Sequence, residues 1–170
     1  IGAAAFIVNT NLYLLLMLQL VVLSIKNGHT AYSAFGYSNY GLILTNAFYM
    51  ISKGYDYGKL SIEIVDKYRA ENVRAKVYMV YNTTVRYYKE DLQETFVQLL
   101  EGYQSGIATG DYEYGTYNAA VYGYNSFFSG KKLSQYFQEM QGFSDIFFKL
   151  KQMTQSKKYL GFLPKRIIAA

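Results

Sequence analysis

An all-α fold of stacked antiparallel helical hairpins, about seven helices in all, follows from three features of this 170-residue chain. It holds a single Pro, so nearly every position can donate to a helical ladder. Apolar residues recur at helical spacing in segment after segment. Asn, Asp, Ser and Gly fall between those segments, where helices start and stop.

The first helix starts in the Asn9-Thr10-Asn11 cluster and runs to Lys26, closed by Asn27-Gly28, residues that tolerate a left-handed backbone. Leu12 through Ile25 are apolar on nearly every side, which predicts a leading buried helix, spanning 1–29 with its lead-in, covered by neighbours on several faces. The second helix begins after Thr30 and extends to about Ser52, with Gly54 as its stop. The third runs from about Tyr55 to Tyr68, with Tyr57, Leu60, Ile64, Val65 and Tyr68 on one stripe.

The fourth helix starts after Asn72. Val73, Val77, Val80, Tyr81, Thr84 and Tyr88 fall on its core side, and Lys76, Thr83 and Arg86 on the other. Lys89-Glu90-Asp91 opens a fifth helix whose Leu92, Phe96, Leu99, Leu100, Tyr103 and Ile107 form the cleanest amphipathic stripe of the chain. Gly106 and Gly110 punctuate its end. Asp111 caps a sixth helix reaching Phe128, and Ser129-Gly130 turns the chain into a seventh ending near Met153. Residues 154–170, with Pro164, read as a connector or the start of a next element.

Helix starts at Thr30, Asn72 and Asp111 define a repeat of about 40 residues. Ala34, Ala75 and Gly115 then align as small residues where helices cross, and Tyr37 and Tyr40 align with Tyr78 and Tyr81. A single hairpin cannot bury its own apolar face, so three hairpins over residues 30–153 are expected to stack. The competing architecture is an irregular bundle with evenly spaced helix starts.

Composition removes several chemistries. With no Cys and a single His, His29, there is no thiol nucleophile, disulfide framework or Cys-type zinc set. The +5 net charge is mild and dispersed, and the 20 tyrosines sit on stripes shared with Leu, Val and Ile, so nucleic acid is not an expected partner. Ser129-Gly130-Lys131-Lys132 lacks the first Gly and the Ser/Thr of a phosphate-binding loop. Glu90, Asp91 and Glu94 crowd a helix start, where negative charge is favourable without any proton-transfer role. Asn82-Thr83-Thr84 fits a glycosylation sequon inside a helix, a poor acceptor. No catalytic residue, metal ligand or cofactor is therefore expected. The remaining candidate is a partner-binding face on the fourth helix, made by Lys76, Asn82, Thr83 and Arg86.

The segment before Lys26 carries no charge, but Asn9-Thr10-Asn11 and Gln19 interrupt it, leaving about 14 apolar residues, the length of a core helix rather than a span. It lacks the basic start of a secretion signal. A cytoplasmic chain without membrane contact is expected, with a small membrane-associated protein using the N-terminal segment as the alternative.

The stretches Ser33-Ala34-Phe35-Gly36-Tyr37, Tyr40-Gly41-Leu42-Ile43-Leu44 and Gly54-Tyr55-Asp56-Tyr57-Gly58-Lys59-Leu60 resemble the tetratricopeptide-like helical-repeat region of large multidomain signalling ATPases. So do Asn72-Val73-Arg74-Ala75-Lys76-Val77-Tyr78, Leu99-Leu100-Glu101-Gly102-Tyr103-Gln104-Ser105-Gly106 and Thr109-Gly110-Asp111-Tyr112-Glu113-Tyr114. In that family a Ser/Thr kinase domain precedes a STAND-type nucleotide-binding domain, the helical repeats, and often a GAF sensor and a histidine kinase. The resemblance covers roughly residues 5–153. It implies a non-catalytic interaction or regulatory module, a fragment of a signal-transduction ATPase and protein kinase. Its partner would be another protein or the neighbouring domains of its own chain. Ala47-Phe48-Tyr49-Met50-Ile51 and Arg86-Tyr87-Tyr88-Lys89 depart from the family's pattern.

Overall fold

The fold was analysed in a computed structural model that describes residues 8–149. Among the described residues it is all-α, with seven α-helices: α1 (Thr10–Asn27), α2 (Ser33–Asn46), α3 (Ile51–Tyr68), α4 (Glu71–Thr84), α5 (Phe96–Thr109), α6 (Tyr112–Phe128) and α7 (Leu133–Lys149). Two short 3₁₀ turns, Arg86–Tyr88 and Leu92–Thr95, link α4 to α5. The expected extension of the seventh helix to Met153 and the tail from 154 lie outside the described residues.

Several boundaries sit where the sequence puts them. Asn9 caps α1 by accepting a hydrogen bond from the Leu12 amide at 3.1 Å, and Gly28 closes it with φ 92°. Gly110, at φ 77°, terminates α5, and Gly130, at φ 78°, forms the turn before α7. The α2 boundary differs. The helix stops at Asn46 instead of Ser52, and Gly54 lies in the first turn of α3 rather than ending α2. The reversal uses Ala47–Met50, with Tyr49 in the left-handed region at φ 56°, an uncommon conformation for a bulky residue. The fifth helix also starts later, because Leu92–Thr95 is a 3₁₀ turn before the α-helical ladder begins at Phe96.

Side-chain contacts set the directions. Tyr13 with Asn39 and Ser24 with Ser33 make α1 and α2 antiparallel. Thr45 against Gly54 and Gly41 against Gly58 do the same for α2 and α3, as do Gly102 with Asn118 and Gly106 with Gly115 for α5 and α6. The first helices of successive hairpins run parallel. Asn46 Nδ2 donates to the Thr84 carbonyl at one end of α2 and α4, while Asn72 Nδ2 donates to the Tyr32 hydroxyl at the other. Asn118 Nδ2 donates to the Ala75 carbonyl at 2.7 Å, tying α6 to α4.

The core is divided. Val21, Ala34, Tyr37, Ile64, Val65, Val73, Val77 and Tyr78 join α1 to α4, and Leu99, Ala119, Tyr122, Tyr136, Met140 and Phe147 join α5 to α7. The repeat-aligned Ala34, Ala75 and Gly115 are all buried, as are Tyr37, Tyr78 and Tyr81. The leading helix departs from expectation. Only Tyr13, Met17, Val21 and Ser24 of α1 are buried, a single stripe against α2, while Leu12, Leu15, Leu18, Val22, Leu23 and Ile25 are exposed among the described residues. An all-round apolar sequence needs neighbours on every side to be buried, and here α2 supplies one.

Candidate partner-binding site

The four residues expected to form a binding face meet different fates. Lys76 lies in the second turn of α4, with its Nζ 3.1 Å from Asp111 Oδ2 and 5.4 Å from the centre of the Tyr114 ring. The contact is an ion pair across to the start of α6. Asp111, at the N-cap position of α6, makes no side-chain cap bond. Thr83 turns its Oγ1 back to the Met79 carbonyl, the i−4 bond of a helical Thr.

Asn82 is buried. Its Nδ2 donates to the Tyr78 carbonyl at 2.8 Å and to Gln98 Oε1 at 3.1 Å, and its Oδ1 accepts from Arg86 Nη1 at 3.3 Å. Such burial also closes the sequon to a glycosylating enzyme. Arg86, in the 3₁₀ turn after α4, donates from Nε to Glu90 Oε2 at 2.8 Å and from Nη1 to Gln98 Oε1 at 3.2 Å. Its side chain is 13% exposed. The Tyr55 hydroxyl, from the start of α3, donates to the other Glu90 oxygen.

These contacts close a network across α3, α4, the 3₁₀ turn and α5. Burial pushes the Glu90 carboxyl up, but the bonds from Tyr55 and Arg86 and the charges of Arg86 and Lys59 outweigh it and hold the group below its ordinary value. Tyr55 is shifted upward, first by the bond it donates to Glu90 and then by burial. The cluster holds an ionised carboxylate with its partners already in place, an arrangement that fixes the α4–α5 connection. Thus Asn82 and Arg86 come together, while Lys76 sits nearly two turns away beside α6. Lys76, Thr83 and Arg86 are all half-buried, Lys76 having more of its side chain exposed than Arg86.

A second cluster, which sequence reasoning passed over, holds the α6–α7 turn. Lys131 Nζ donates to Glu139 Oε1 at 2.7 Å and to the Tyr122 hydroxyl at 2.7 Å, and Tyr122 donates to Glu139 Oε2 at 2.8 Å. Burial alone would lower the ammonium, but the Glu139 and Tyr122 contacts raise it overall. The near-match to a phosphate loop at Ser129–Lys132 thus has its first lysine engaged by a carboxylate. His29 lies in the α1–α2 turn, with Nε2 3.0 Å from the Tyr37 hydroxyl. Among the described residues no group of three or more His, Cys, Asp or Glu side chains could hold a metal ion.

The signal for the buried asparagines was present but unread. Asn39, Asn82 and Asn118 each lie inside the first helix of a hairpin, and each donates to its own i−4 carbonyl. Each also reaches a neighbouring element, through Tyr13, Gln98 and Ala75 respectively. Asparagine is a poor interior helix residue, so its recurrence once per hairpin marks interhelical contacts. No protein-family model matches the chain, and no curated protein or solved structure matches it.

Proposed function

We propose that the chain is a non-catalytic helical-repeat interaction and regulatory module, a tetratricopeptide-like scaffold from a multidomain cytoplasmic signal-transduction ATPase and protein kinase. The observation that carries the reading is the packing order. Each first helix, α2, α4 and α6, packs against its own partner helix, and α2 meets α4 while α4 meets α6. That order is what stacked hairpins require of nearest neighbours. Its partner would be a protein or the neighbouring domains of the same chain, with no nucleic acid and no cofactor involved.

On this reading Lys76 and Thr83, which lie outside the α4–α5 network, supply the partner face, and Asn82 and Arg86 hold the helix end that presents them. Docking of the module against a nucleotide-binding domain would bias that domain's equilibrium by differential contact with its two states. Sequencing the reading frame on both sides of residues 1–170 tests the assignment. An in-frame upstream Gly-x4-Gly-Lys-Ser/Thr motif supports it, and a frame confined to these residues overturns it. One observation favours a second reading, a small membrane-associated protein anchored by its N-terminal segment: α1 is long and apolar enough to cross a membrane and leaves most of that surface exposed.

A further inference from the structure

The connectors within the three hairpins lie side by side at one end of the molecule. Asn46 of α2 donates to the Thr84 carbonyl and accepts from the Tyr88 hydroxyl, which joins the first connector to the second. Asn125 of α6 donates to Thr95 Oγ1 at 2.8 Å, and Lys131 lies 5.9 Å from the centre of the Phe96 ring, which joins the second to the third. Two adjacent aromatic residues stand in or beside each connector: Phe48-Tyr49 in the first, Tyr87-Tyr88 in the second, and Phe127-Phe128 at the end of α6, where the third begins. The pairs recur about 40 residues apart, in step with the hairpins.

Only Phe127 of these rings leans on a core residue, its centre 5.7 Å from that of Tyr136. The six residues are between 40% and 83% exposed. Tyr49, the most exposed of them, occupies a left-handed backbone position where Gly or Asn would be relaxed, so neither packing nor backbone geometry accounts for a tyrosine there. Met50, Val97 and Leu133 add exposed apolar surface near the connectors. An exposed lysine follows each pair, namely Lys53, Lys89 and Lys132. Exposed Asp91 and Glu94 stand beside the middle pair, while Glu90 and Glu139 are engaged by Arg86 and Lys131. Because α1 is antiparallel to α2, its N-terminal end, with exposed Val8, also belongs to this end.

Rows of aromatic side chains with flanking lysines match the chemistry of a bilayer interface. There, ring bodies sit at the headgroup level, and cations meet a negative surface. We propose that this edge docks on an anionic phospholipid membrane, with the three aromatic pairs entering the headgroup boundary and Lys53, Lys89 and Lys132 meeting lipid phosphates and carboxylates. Rings at turns and at a helix end can enter without any change in helix packing, and no helix needs to span the bilayer. Surface docking of this kind stands without the module reading and differs from anchorage through α1, whose apolar face it does not use.

The test is co-sedimentation of the full chain with vesicles of phosphatidylcholine alone or mixed with phosphatidylserine, each variant first checked for unchanged helical circular dichroism. Binding to the phosphatidylserine vesicles is expected to be about tenfold tighter or more. Replacing exposed rings in F48S/Y49N/F128S should weaken it by about tenfold or more, and K53E/K89E/K132E should remove the preference for phosphatidylserine. D91N/E94Q should strengthen binding severalfold, a gain that misfolding does not mimic. L15S/I25S, on the exposed face of α1, should leave it unchanged. Equal or absent binding to the two vesicles overturns the proposal. So does full binding by F48S/Y49N/F128S, which would assign the row to a protein partner, or loss confined to L15S/I25S, which would assign attachment to α1.

Discussion

Helix α2 is flanked by two seams built by opposite means. Against α3 it comes to backbone contact: a Cβ at Gly41 would lie 2.7 Å from the Gly54 carbonyl oxygen, and one at Gly54 would lie 2.8 Å from the Gly41 carbonyl oxygen. Against α1 it uses side chains, with Tyr13, Met17 and Val21 as a stripe and the Tyr13–Asn39 and Ser24–Ser33 bonds at intervals. The first kind of seam has little slack, because at its crossing main chain meets main chain, with only the Thr45 hydroxyl beside it. The second can adjust, because rotamers can shift to fill or yield space. The α2–α3 seam within the first hairpin and the α5–α6 seam between the second and third are therefore the fixed joints of the molecule, and α1 is an attached helix.

The sharpest way to break this contrast is a methyl group inside a glycine crossing. At Gly106 a Cβ would lie 2.5 Å from the Gly115 Cα and 2.7 Å from its nitrogen, so only helix separation relieves it. We expect G106A to destabilise the fold by about 3 kcal/mol or more, at the upper end of overpacking costs. Urea unfolding followed by circular dichroism measures it, and a loss below about 1 kcal/mol would show that the α5–α6 seam has slack after all.

The side-chain seam should respond next. Met17 is buried between α1 and α2, whereas Leu15, on the opposite face of α1, is 64% exposed. M17A is expected to cost about 2 to 4 kcal/mol and L15A less than about 0.5 kcal/mol. Equal costs would mean that the exposed face of α1 is covered in solution.

Tyr13 provides a pH test of the same seam. Burial raises its hydroxyl from the ordinary 10 to about 12, against the lowering effect of its bond to Asn39. A phenol whose folded value is raised holds its proton in the folded state after the unfolded chain has lost it. Its contribution is therefore complete below pH 10 and is lost as pH rises from 10 through about 12. Roughly 2 to 3 kcal/mol rides on this step. The expected result is that the stability of Y13F falls less steeply than that of the parent over this window, measured by denaturant unfolding at each pH. Parallel slopes would exclude Tyr13 as the titrating group.

How much of this could be read from the sequence depends on whether the cause is local. Caps and turns are local events, so Asn9, Gly28, Gly110 and Ser129-Gly130 marked real boundaries. Gly54 misled because a glycine that ends a helix and one that admits a neighbouring helix look alike without the partner, here Gly41 and Thr45. The binding face on α4 was half legible for a similar reason. Helical spacing put Lys76, Thr83 and Arg86 on the polar side, but the groups that engage Arg86 and bury Asn82 come from Tyr55, Glu90 and Gln98. The apolar run of α1 gave helix and length correctly, while its degree of cover depends on how many neighbours arrive, which no periodicity encodes.

The smallest effect should have the opposite sign. Gly142 lies inside α7, and a Cβ there meets nothing within 4 Å. It therefore has the entropy cost of a helical glycine without the close approach that Gly106 requires. G142A is expected to stabilise the fold by about 0.5 to 1 kcal/mol, the difference in helix propensity between the two residues. Its midpoint in urea should rise while that of G106A falls. If G142A were destabilising instead, a surface must pack on that side of α7, and its glycine would belong with the crossings rather than with the open helix faces.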